Sequence, residues 1–138
     1  MTTAESKWAW DKERIVRLLG ADLRDRVRPR DTVQVLDTTD GGIHALLRTR
    51  VAEPTRFLYD FHFFHDTGRP AIRALRAEFV SGLDLRPPRY IVVFRQGWPS
   101  GGYERIDGFP EFSRLLATRY GIDMRRPAYT IYAKRDGS

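Results

Sequence analysis

Apolar residues near the start of the chain recur every three or four positions, with charged residues between them. This spacing is typical of one face of an amphipathic helix, and it extends from Trp8 to Val27. Because Pro29 follows it, we predict an N-terminal amphipathic helix in residues 1–29 and a single α/β domain in residues 30–138. The apolar face consists of Ile15, Val16, Leu19, Leu23 and Val27.

After Pro29, runs rich in β-branched and aromatic residues alternate with segments of helical apolar spacing. YIVVF at residues 90–94 is apolar throughout, as expected for a central parallel strand covered on both faces. Residues 128–135 alternate apolar with polar side chains, which is typical of an edge strand. The predicted strands are residues 32–37, 55–60, 90–94 and 128–135, and the predicted helices between them are residues 41–50, 70–83 and 109–120.

Alternation of strands and helices favours a parallel sheet whose strands are joined by right-handed crossovers. The sequence therefore predicts a three-layer α/β fold with a mostly parallel, Rossmann-like sheet of about four strands. Helices are expected on both faces of this sheet, in addition to the N-terminal helix.

Polar connections follow the first three predicted strands, at residues 37–42, 60–66 and 95–105. The carboxyl ends of parallel strands share one edge of a sheet, where α/β proteins bind ligands. We therefore expect the three connections to meet. Carboxylate, imidazole and guanidinium groups can hydrogen-bond a ligand there, and an indole ring can stack on it. The candidate ligand-binding residues are Asp37, Asp40, Asp60, His62, Arg95 and Trp98.

The stretch VQVLDTTDGG looks like the first motif of S-adenosylmethionine-dependent methyltransferases and dinucleotide-binding proteins, in which a strand enters a glycine turn before a helix. Asp60 lies where such folds place the acid that binds ribose. However, Gly41 and Gly42 are adjacent instead of spaced, and Asp37 and Asp40 would repel a pyrophosphate. A small soluble Rossmann-like enzyme that binds a nucleotide or S-adenosylmethionine is the alternative function.

Candidate catalytic and metal-binding groups are sparse. Asp60, His62, His65 and Asp66 offer ligand types that zinc, manganese or iron accept, but their spacing matches no metal motif. The sequence contains no nucleophile elbow, P-loop or H-E-x-x-H motif. We therefore predict no catalytic residue, metal or cofactor for the chain alone.

Composition restricts the partners. The 138 residues have a net charge of +6, but the 21 arginines and three lysines are spread along the chain among 18 acids. A nucleic-acid-binding module would show a basic stripe with interleaved aromatic residues, so no nucleic-acid partner is expected. No apolar run approaches the roughly 18 residues of a membrane span, and the given chain is predicted to be soluble.

Five segments taken in order resemble the soluble C-terminal portion of bacterial multispanning glycosyltransferases. These enzymes are similar to the dolichyl-phosphate-mannose protein mannosyltransferase and aminoarabinose transferase group. The resemblance covers residues 30–135. The segments are VQVLDTTDGGIHALLRTR, PTRFLYDFHFFHD, IRALRAEFVSGLDLRPPRYIVVF, WPSGGYERIDGFPEFSRLL and YTIYAKR.

The resemblance implies an extracytoplasmic (periplasmic) domain of a membrane enzyme that takes sugar from a polyprenyl-phosphate carrier. The implied partners are the transmembrane portion of the same polypeptide and either the sugar-phosphate lipid carrier or a glycan acceptor. In that group the catalytic acids lie in a loop outside this domain. The domain is thus expected to bind or regulate, and to be inactive alone.

Overall fold

The computed structural model describes residues 3–37, 41–60, 63–96 and 101–136, with side chains from residue 11 onward. The described part of the chain contains four α-helices, four strands and a 3-10 helix at Tyr103–Gly108. In chain order they are α1 (Thr3–Arg24), β1 (Val33–Leu36), α2 (Gly42–Thr49), α3 (Pro70–Leu85), β2 (Tyr90–Phe94), the 3-10 helix (Tyr103–Gly108), α4 (Pro110–Arg119), β3 (Tyr120–Arg125) and β4 (Tyr129–Lys134).

The strands form one sheet in the order β1-β2-β4-β3. Strands β1 and β2 are parallel, with Val33 opposite Tyr90. Strand β4 is antiparallel to both β2 and β3. The fold is therefore α/β with four strands, but the prediction of a mostly parallel, Rossmann-like sheet is wrong because two of the three strand pairs are antiparallel.

The error arises at the end of the chain, where α4 is followed at once by β3. Gly121, which directly follows the helix predicted at residues 109–120, lies inside β3 and pairs with Ala133. Only residues 126–128 separate β3 from β4, and so short a connection makes a hairpin and not a crossover. As a result β4 lies inside the sheet, not at its edge as predicted.

The predicted strand at residues 55–60 is also absent from the sheet. The chain before it makes only an isolated parallel bridge, between Thr32 and Ala52. The next N–H along β1, that of Val35, donates to the Glu53 side-chain oxygen Oε2 at 3.0 Å. The Glu53 side chain thus takes the place of a neighbouring strand's backbone beside β1. Pro54, the next residue, has no N–H to donate to a strand pair.

Helices cover both faces of the sheet, and the apolar core is divided accordingly. Along β2, Ile91 and Val93 point to the face covered by α3 and α4, whereas Tyr90, Val92 and Phe94 point to the face covered by α1 and α2. Helix α1 packs on the second face through two fully buried residues, Leu19 and Leu23.

None of the described helices combines the length and the apolarity that crossing a membrane demands.

Candidate functional site

The three connections predicted to meet do contact one another at the carboxyl ends of β1 and β2. The Asp60 N–H donates to the Asp37 carbonyl oxygen at 2.9 Å. Arg105, in the 3-10 helix, donates from Nη2 to Asp60 Oδ2 at 3.2 Å and to the Phe94 carbonyl oxygen at 2.8 Å. The structure therefore brings Asp37, Asp60 and the third connection together.

The carboxylates at this junction face the protein interior. The Asp60 side chain is 1% exposed and its partner Arg105 is 5% exposed. Arg105 also donates from Nη1 to the Gly102 carbonyl oxygen at 2.9 Å. In the described structure this buried pair holds the loops together, and binding of a ligand by Asp60 stays a prediction.

The Asp37 carboxylate is hydrogen-bonded to the first residue of α2. Its Oδ2 accepts a hydrogen bond from the Gly42 N–H at 2.8 Å, and Asp37 is 1% exposed. A Cβ at position 42 would collide with Val35, so glycine is needed for packing against the sheet. One of the backbone donors that a phosphate would use at this helix terminus is therefore already bonded to a protein carboxylate.

The other candidate residues have different positions. Asp40, His62 and Trp98 lie outside the described residues, so their roles stay predictions. Arg95 is exposed and follows β2. Within the described ranges, no group of three or more histidine, aspartate or glutamate side chains could hold a metal ion.

Arg95 borders a groove of about 740 Å³ between α1 and the end of β2, on the side of the β3–β4 turn. We call it the basic groove. Its cationic lining is Lys12, Arg14, Arg17, Arg95 and Arg126, its apolar lining is Ile15, Leu18, Ala21, Pro127 and Ala128, and Asp11 and Gln96 complete it. Five cations and a single carboxylate thus surround an apolar surface.

A buried carboxylate fixes the two walls of this groove. Asp22 in α1 is 4% exposed and accepts two hydrogen bonds from Arg126, from Nη2 at 2.8 Å and from Nε at 3.1 Å. The Tyr129 hydroxyl donates to it at 2.6 Å. Helix α1 is therefore tied to the β3–β4 turn by a bidentate pair, which adds geometric specificity.

Asp22 remains ionised at neutral pH. Burial alone would raise the pKa of its carboxyl, but the hydrogen bonds from Arg126 and Tyr129 outweigh burial, and the pKa is lowered. Burial and the bond to Asp22 raise the pKa of the Tyr129 hydroxyl. The hydroxyl therefore stays protonated and can keep donating.

The cations of the basic groove differ in how far protein acids neutralise them. Arg126 is paired with Asp22, and Arg17 lies 3.7 Å from Glu13. Among the described residues, no acidic side chain forms a salt bridge with Arg14 or Arg95. These two guanidinium groups are available to an anion.

Sequence reasoning missed the α1 wall of the groove because arginines on a helix usually form a solvated surface. A pattern was present: Leu18 extends the apolar face of α1 beyond Ile15, and Arg14 and Arg17 lie beside these two residues. Ile15 packs against the core, but Leu18 is 38% exposed and is not covered by it.

Comparison with known proteins identifies no relative: no family model matches the chain, and neither a curated protein nor a solved structure matches it significantly. The glycosyltransferase resemblance therefore stays a prediction based on the sequence segments.

Proposed function

We propose that the protein is the extracytoplasmic binding domain of a membrane glycosyltransferase, and that its basic groove holds the phosphate-bearing head group of a polyprenyl-phosphate sugar carrier. The observation that supports this proposal is the pair Arg14 and Arg95, which line an apolar groove without an acidic partner in the described chain. The glycosyltransferase context comes from the sequence resemblance.

The two kinds of lining suit two parts of one ligand. Guanidinium groups bind phosphate oxygens through planar, often bidentate hydrogen bonds. Ile15, Leu18 and Pro127 offer apolar area to the first isoprenoid units of the carrier. An amphiphilic phosphate therefore fits the groove better than an inorganic anion or an uncharged lipid.

The nucleotide-binding alternative has no comparable support. It requires phosphate at the N-terminus of α2, where the Gly42 N–H already donates to Asp37. We therefore do not propose it as a second function.

Farnesyl phosphate, a soluble short-chain probe, is expected to bind the purified chain saturably in calorimetric titration. The double variant Arg14→Gln/Arg95→Gln should bind it about thirtyfold more weakly, because each of the two lost cations contributes on the order of 1 kcal/mol beside an anionic head group. Rising salt should weaken binding to the wild-type chain because exposed charges are screened.

A matched control removes two charges elsewhere. Arg73 and Arg86 are exposed, and Arg73 lies in α3, on the opposite face of the sheet. Arg73→Gln/Arg86→Gln should retain wild-type affinity, and farnesol should bind more weakly than farnesyl phosphate. Equal losses in the two double variants would contradict the proposal, since net charge alone would then explain binding.

A further inference from the structure

A second cleft, of about 440 Å³, lies on the opposite face of the sheet from the basic groove. We call it the tyrosine cleft. It is bordered by the 3-10 helix, α4 and β3, and its lining includes two partly buried tyrosines, Tyr103 and Tyr132. Its volume falls within the range of about 300–1,000 Å³ that is usual for small-molecule sites.

The aromatic walls are held in place by the fold. The Tyr103 hydroxyl accepts a hydrogen bond from Thr130 Oγ1 at 3.0 Å. Arg135 donates from Nε to the Tyr120 carbonyl oxygen at 2.8 Å, which places a guanidinium group at the rim. Tyr103 and Tyr132 also pack against the core, so both rings are supported from behind.

Three polar groups in the same cleft are left to a ligand or solvent. In the described part of the chain, the Asp107 carboxylate, the Ser113 hydroxyl and the Tyr132 hydroxyl form no hydrogen bond with a protein group. Tyr132 is half-buried, and burial raises the pKa of its hydroxyl, whereas Asp107 is exposed to solvent. Water therefore competes less for a hydrogen bond to Tyr132 than for one to Asp107.

We propose that the tyrosine cleft binds a neutral sugar ring. The two tyrosine rings offer flat apolar surfaces to the C–H face of a pyranose. Asp107 accepts hydrogen bonds from its hydroxyls, while Ser113 can donate as well as accept. One acid, Asp107, and one base, Arg135, line the cleft, and this balance favours an uncharged polyhydroxylated ligand over an anion.

The inference does not depend on the basic groove or on the proposed function. The two sites lie on opposite faces of the sheet and differ in charge. A failure of farnesyl phosphate to bind would therefore leave it standing.

The test is a titration of the ¹⁵N-labelled chain with the methyl glycosides of glucose, galactose, mannose and N-acetylglucosamine, followed by amide shifts. At least one glycoside is expected to bind saturably, with a Kd of about 1–10 mM. The largest shifts should fall on the amides of Asp107, Gly121 and Ile122.

The variants separate a specific site from surface adsorption. Asp107→Asn and Ser113→Ala should each weaken binding at least about fivefold, because the first replaces a charged acceptor with a weaker neutral one and the second removes a hydroxyl group. Ser81→Ala, at an exposed position in α3, is the matched control and should bind as the wild type does. Arg14→Gln/Arg95→Gln should also bind normally.

The inference is overturned if none of the four glycosides gives saturable shifts up to about 50 mM, a concentration well above the expected Kd of about 1–10 mM. It is also overturned if the shifts map to α1, or if Asp107→Asn and Ser113→Ala bind as tightly as Ser81→Ala.

Discussion

Replacing Asp60 by asparagine is expected to lower the free energy of unfolding by about 3 kcal/mol, because a buried cation loses its counter-charge. Arg105 is 5% exposed, and its Nη2 lies 3.2 Å from Asp60 Oδ2. Arg105 Nε is already buried without a hydrogen-bond partner among the described residues. The loss of the Asp60 charge therefore adds to an existing cost of burying this guanidinium group. Chemical denaturation at neutral pH measures the loss.

Asp66→Asn provides the control for this prediction. Asp66 lies in the same connection, but its side chain is 48% exposed, and its nearest partners are His65 Nε2 at 3.5 Å and the Arg69 guanidinium at 3.7 Å. Its positive φ of 52° is a conformation that asparagine tolerates, so a change below about 0.5 kcal/mol is expected. If Asp60→Asn kept full stability yet abolished ligand binding, Asp60 would be a ligand residue and the structural account would fail.

Replacing Glu53 by glutamine is expected to flatten the dependence of stability on pH between about 4.5 and 8. Burial raises the pKa of the Glu53 carboxyl from 4.5 to about 8. Its Oε2 accepts hydrogen bonds from Gln34 Nε2 at 2.8 Å and from the Val35 N–H at 3.0 Å, whereas Oε1 is buried without a partner among the described residues. No cation contributes to the pKa shift, so the carboxyl favours its neutral form.

The direction in which stability changes with pH follows from the raised pKa of Glu53. Because the folded chain holds the Glu53 proton more tightly than the unfolded chain, the stabilisation is complete below pH 4.5 and is lost as pH rises to about 8. The slope approaches about 1.4 kcal/mol per pH unit for one proton. Glu53→Gln should remove this slope and unfold at a higher temperature than the wild type at pH 8.

Glu78→Gln is the matched control for the pH experiment. Glu78 is partly exposed, and its hydrogen bond with Arg56 lowers the pKa of its carboxyl, so its contribution changes only at acidic pH. The Glu78 variant should therefore keep the wild-type slope between pH 4.5 and 8. Thermal unfolding at several pH values gives the change of stability with pH for each variant. If this change were the same for the wild type and Glu53→Gln, the structure around β1 would be contradicted.

Local patterns predicted the elements whose periodicity is strongest. The apolar stripe of α1 includes Leu19 and Leu23, which are fully buried, and residues 90–94 form β2 within the sheet. These elements could be predicted because burial of one helix face, or of both strand faces, imposes a repeat on the sequence itself.

Strand direction could not be predicted in the same way. The run YGIDMR forms β3, but Tyr120 continues the helical pattern of α4, so the sequence predicts a helix that ends at residue 120. Once β3 is missed, β4 appears to follow a helix and is taken for a parallel strand. The direction of β4 depends on the hairpin turn at residues 126–128, which local periodicity does not reveal.

The candidate site was predictable only in part, for the same reason. Because β1 and β2 are parallel, their following connections meet, as expected from strand order. The partner that buries Asp60, Arg105, lies 45 positions away in a 3-10 helix without a regular pattern. The basic groove joins α1 to the β3–β4 turn through Asp22 and Arg126, which are 104 positions apart.

The most direct measurement of the central claim, that the basic groove binds an amphiphilic phosphate, is an amide-shift titration with farnesyl phosphate. The account predicts saturable shifts at Leu18, Ala21 and Ala128, which line the groove, and these shifts should be much reduced in Arg14→Gln/Arg95→Gln. Saturable shifts confined to α3 or to the tyrosine cleft, or no saturable shift, would contradict it.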